Sequence, residues 1–65
     1  MKDEELEQIF TQDVAKWVGG DPARRATLAV HLRVARSTVE RYEKGSVHPH
    51  TNIMNKILTW IRSNP

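Results

Sequence analysis

The 65-residue chain contains no cysteine, which excludes disulfides and thiolate metal sites together. It has no apolar run near the roughly 18 residues that a membrane helix needs, and no segment resembling a signal peptide. The sequence therefore predicts a soluble, cytoplasmic protein with no membrane partner. Repeats, low-complexity tracts and linkers are absent too, so residues 1–65 are expected to form a single domain. A domain of this size buries only about 60% of its unfolded surface, which leaves little room for a catalytic cleft. No nucleophile–base pairing is recognisable either, so neither enzymatic activity nor a cofactor is expected. His31, His48 and His50 lack acidic or cysteine companions at ligand spacing, which argues against a metal.

What is present is unevenly distributed charge. The net charge is +2. Residues 1–21 set six acids against two lysines for −4, whereas residues 22–65 set eight bases against two acids for +6. An acidic cap on a basic body suits a protein that turns one side to a polyanion.

Hydrophobic spacing predicts four helices. Leu6, Ile9, Phe10, Val14, Trp17 and Val18 recur at three- and four-residue intervals, a helical period over roughly residues 3–18. Asp3, Glu4 and Glu5 suit its first turn, and Gly19-Gly20 ends it. Asp21 is the expected N-cap of a second helix, with Pro22 at its first position and Ala26, Leu28, Ala29 and Leu32 as its apolar residues. After a short break comes a third helix in which Val39 and Tyr42 point inward. Two starts compete for it. With Ala35 as N-cap, Val34 and Val39 take the positions of a hydrophobic staple; with Ser37 as N-cap, Ser37 and Glu40 match a capping box. Gly45 ends the helix in either register. Pro49 holds His48 extended. Thr51 is then expected to cap a last helix with Ile53, Met54, Ile57, Leu58 and Ile61 on its buried face. The expected fold class is all-α, a compact four-helix domain.

A helix, a short turn and a second helix with a polar outer face form a helix-turn-helix pattern, here at about residues 22–45. The stretch from Leu28 to Pro49 supplies Leu28, Ala29, Leu32, Val34, Arg36, Ser37, Thr38, Val39, Tyr42, Glu43, Gly45 and Pro49. In that order these residues resemble the phage-repressor family, the Cro-type and xenobiotic-response-element-type helix-turn-helix regulators. The resemblance spans about residues 22–61 and implies a lambda-repressor-like fold. Two positions depart from the family pattern. Arg25 replaces a glutamine that touches phosphate, and Arg33 replaces a turn glycine. The fifth helix common in the family is not expected within residues 1–65.

The resemblance implies that Arg36, Ser37 and Arg41 face the bases of a double-stranded operator. Arginine pairs bidentately with guanine, which fits Arg36 in the first turn. Glu40 could accept from a cytosine, repel a wrong site, or pair with Arg36 and Lys44 along its own helix; the pairing role is favoured. Arg24, Arg25 and Lys44 are expected phosphate clamps, joined by the N–H groups around Thr51 and Asn52 and by His48 and His50. Trp60 falls at the edge of its helix stripe. It either packs at the rim of the core or forms a homodimer contact with Met54, Ile57 and Ile61. The implied function is a small repressor or autoregulator of a phage, plasmid or mobile element. It would work in the cytoplasm on the bacterial nucleoid, occluding an operator or touching RNA polymerase through its acidic first helix. An antitoxin-like protein-binding module and an RNA-binding domain are the alternatives.

Overall fold

The computed structural model describes residues 3–65, with side chains from Glu4 onward, so the predicted role of the Asp3 side chain lies outside the described residues. Four helices follow in order: α1 (Asp3–Val18), α2 (Pro22–Leu32), α3 (Arg36–Lys44) and α4 (Thr51–Ser63). No strand occurs among the described residues. The Cα radius of gyration is 10.6 Å, close to the ~11 Å expected for a compact chain of this length. The fold class is all-α.

α1 is the hub, packing against α4, α3 and α2, while α2 packs against α3. Its four-residue stripe of Leu6, Phe10, Val14 and Val18 is buried, and Ile9 and Trp17 flank that stripe half-buried. Leu28 and Ala29 enter the core from α2, Val39 and Tyr42 from α3, and Met54, Ile57, Leu58 and Ile61 from α4. Phe10 meets the Tyr42 ring edge-on, with centroids 5.4 Å apart. Ile53 departs from expectation, being 42% exposed. It lies in the first turn of α4, before that helix reaches the core with Met54.

Backbone chemistry at the helix ends explains the connections. The Asp21 carboxylate accepts from the Ala23 N–H at 2.9 Å, and Pro22 occupies the first helical position. α3 begins after Ala35, which has an extended backbone and makes no side-chain cap bond. Ala35 lacks a polar side chain, yet its carbonyl accepts from the Thr38 and Val39 N–H groups. The staple register is therefore the observed one, with Val34 packed on the core beside buried Val39, and Ser37 sits inside the first turn rather than capping it. α4 is also entered one residue earlier than expected: His50, not Thr51, is its N-cap, its carbonyl accepting from Met54 N–H at 2.9 Å.

Candidate nucleic-acid interface

The link between α2 and α3 is three residues long, Arg33 to Ala35. Arg33 adopts φ 58° and ψ 43°, the left-handed conformation, and is the only non-glycine residue with positive φ among those described. Its N–H donates to the Val30 carbonyl at 3.2 Å, and the Val34 N–H donates to Ala29 at 3.0 Å. This pair of bonds is the Schellman arrangement, which satisfies the last carbonyls of a helix while turning the chain away. The same arrangement closes α3, where Gly45 at φ 74° donates to Tyr42 and Ser46 donates to Arg41. Two matched turns thus fix both ends of α3.

With Val39 and Tyr42 buried beneath it, α3 leaves Arg36, Ser37, Glu40, Arg41 and Lys44 exposed. Arg36, Arg41 and Lys44 have no carboxylate within 4.0 Å among the described residues. They are three cations on a nine-residue helix, available to an external anion. Glu40 is not held by Arg36 or Lys44, as helical spacing suggests. Its nearest cation is the Arg25 guanidinium of α2, at 3.9 Å.

Arg25 is employed differently from expectation. Its Nε and Nη2 donate to the two carboxylate oxygens of Glu43 at 2.8 and 3.1 Å, a bidentate pair joining α2 to α3. Hydrogen bonding to Glu43 raises the Arg25 pKa from its ordinary value. Partial burial opposes that rise, and the charges of Glu43 and Glu40 add to it. This pair holds the polar-faced helix and occupies two of the five N–H donors of the guanidinium expected to clamp a phosphate. Glu43 carried no role in the sequence beyond its place in the motif. Its partner lies eighteen residues away, a separation that no helical period marks.

The other expected phosphate contacts divide similarly. Lys44, His50, Thr51 and Asn52 are exposed, the last two at the start of α4 where N–H groups lack intrahelical acceptors. His48 instead faces α1: its Nε2 is hydrogen-bonded with the Thr11 hydroxyl at 3.1 Å, and its Nδ1 lies 3.7 Å from a Glu7 carboxylate oxygen. Arg24 packs its guanidinium 4.3 Å from the centre of the Trp17 ring. Among the described residues no cluster of three or more histidines, cysteines or acids could hold a metal ion.

The four residues considered for a dimer contact are committed within the monomer. Met54 and Ile57 are each 2% exposed and Ile61 is 7% exposed. Trp60 packs edge-on against Trp17 at 5.3 Å and stacks with His31 at 4.3 Å, so it belongs to the rim of the core. The Trp17 indole N–H completes this rim by donating to the Asn64 carbonyl at 2.6 Å. The stacking of His31 on Trp60 and of Arg24 on Trp17 had no signal in sequence spacing.

No protein-family model, curated protein or solved structure matches the chain. No helix among the described residues is long and apolar enough to cross a membrane.

Proposed function

We propose that the chain is a sequence-specific DNA-binding regulator of the phage-repressor helix-turn-helix type, with α3 as its reading helix. One observation carries this reading: α3 is fixed at both ends and along its inner face, while Arg36, Arg41 and Lys44 stand exposed without counter-charges among the described residues. A major groove about 12 Å wide admits one such helix. Arg36 and Arg41 then meet base edges, Ser37 assists from the first turn, and Glu40 limits which bases are accepted. Lys44, Arg24, His50 and the N–H groups of Thr51 and Asn52 hold phosphates, which set register without reading sequence.

Arg25 and Glu43 serve this reading by fixing the pitch of α3 against α2. Operator occlusion is the mode of regulation this reading favours, since a reading helix seated in the major groove covers the site it recognises. A homodimer on a palindromic site would place two reading helices about 34–36 Å apart. Because Met54, Ile57 and Ile61 are buried, the contact between copies must draw on other residues.

Selection of bound duplexes from a random library tests the proposal. The expected outcome is an enriched motif whose preference over random DNA falls by about 1–3 kcal/mol in Arg36→Ala. Recovery of no motif, or an unchanged specificity ratio in that variant, would refute the assignment.

A further inference from the structure

A second concentration of positive charge lies away from α3. A groove of about 330 Å³ runs beside Trp17 and is lined by Lys16 of α1, Arg24 of α2, Arg62 of α4 and Pro65, with Asp13 the one acidic side chain among its walls. Three helices that are distant in sequence thus deliver one cation each to the same place. Asp13 lies 3.6 Å from the Arg62 guanidinium, whose side chain remains 66% exposed. Lys16 is exposed and has no carboxylate within 4.0 Å among the described residues. Arg24 lies over Trp17, which donates its own N–H to Asn64. The indole that positions Arg24 is therefore itself held in place.

We propose that this groove is a second phosphodiester site, extending the duplex backbone contact from the start of α2 to the ends of α1 and α4. The inference rests on the DNA-binding reading above. Position supports it: Arg24 adjoins Arg25, which is tied to α3 through Glu43. Arg24 in the groove and Arg25 on the link to the reading helix thus share the first turn of α2. Charge supports it as well. Three cationic side chains stand against one acidic side chain, Asp13, which already pairs with Arg62, and a phosphate diester offers two non-bridging oxygens, sharing one negative charge, that guanidinium and ammonium groups recognise.

α1 separates its own charges along its length. Its N-terminal end exposes Glu4 and Glu5, and Lys16 lies near its C-terminal end. A helix of 16 residues is about 24 Å long, more than two Debye lengths at physiological salt, each about 8 Å. The acidic end is therefore screened from the groove at physiological salt; it lies instead near the end of α3, where Glu4 and Glu7 share a pocket with Gly45 and His48.

The test is the salt dependence of binding to a labelled random-sequence duplex between 50 and 200 mM salt. Each of Lys16→Ala, Arg24→Ala and Arg62→Ala is expected to lower the log–log slope by about 0.9, reducing the affinity lost across that range by about 3.5-fold per contact. Lys56→Ala removes an exposed α4 cation outside the groove and is expected to leave the slope unchanged. Lys16 and Arg62 are exposed, so their variants test the site without disturbing the core. Three results would overturn the proposal. If the triple variant keeps the wild-type slope while Arg36→Ala still loses preference, the groove is no phosphate site and Arg24 no phosphate contact, but base reading by α3 stands. If the unaltered chain binds no duplex, both fall together. If polyglutamate binds wild type but not the triple variant, while duplex affinity is equal in both, the groove serves an acidic protein instead.

Discussion

Arg33→Gly is predicted to stabilise the domain, because the wild-type residue sits where a side chain is penalised. At φ 58° and ψ 43° the Cβ of an L-residue crowds the following carbonyl, at a cost of about 1–2 kcal/mol. Glycine escapes that cost but carries more unfolded-chain entropy, which returns roughly 0.5–1 kcal/mol. Arg33 is exposed, so no core packing is lost. The two bonds closing the turn use backbone atoms only. The net gain is about 0.5–1 kcal/mol, or a Tm rise of roughly 2–8 °C for a domain of this size. Urea and thermal melts followed by circular dichroism would measure it. Arg33→Ala separates two causes, since it removes the charge from a basic segment while keeping the Cβ. If Arg33→Ala gains as much as Arg33→Gly, charge repulsion rather than backbone strain is responsible. A glycine variant no more stable than wild type would refute the strain argument outright.

Phe10→Ala should remove about half or more of the domain's stability at 25 °C. Phe10 is fully buried against Tyr42, so its truncation costs about 3–5 kcal/mol. A chain of this length holds roughly 3–10 kcal/mol in total, and the loss of helical circular dichroism reports the outcome. Gly45→Ala should destabilise by about 1–2 kcal/mol in urea melts; it combines φ 74° with a Cβ placed 3.4 Å from Thr11. A double-mutant cycle of Arg25→Ala and Glu43→Ala should give a favourable coupling, measured as stability and as preference among DNA sequences. Additive effects in both measurements would show that the pair does not hold α3.

Periodicity made the helices and most of the core legible, because burial on α1 and α4 follows directly from three- and four-residue spacing. Where that reading failed, a helix end was responsible. Ile53 follows the apolar stripe of α4 yet is exposed, and Thr51 looks like a cap yet lies inside the helix. Both positions precede the point at which α4 first reaches the core, so periodicity there is not enforced by packing. Ser37 and Glu40 likewise match a capping box in sequence. Burial of Val39 under the staple register decided the competition instead.

The candidate site was legible in residue type but not in allegiance. Arg24 and Arg25 are chemically identical neighbours, and nothing in their local sequence separates them. A helix turns about 100° per residue, so the fold sends one to Trp17 and the other to Glu43. The first keeps its outward donors, while the second has committed two of its own to an internal carboxylate. The same division separates His50, which is exposed, from His48, which is bound to Thr11. A basic surface therefore cannot be counted from composition. Its strength toward a polyanion depends on which cations the acids of neighbouring helices have already claimed. In this chain Glu43 claims Arg25, and Arg36, Arg41 and Lys44 of α3 remain unclaimed among the described residues.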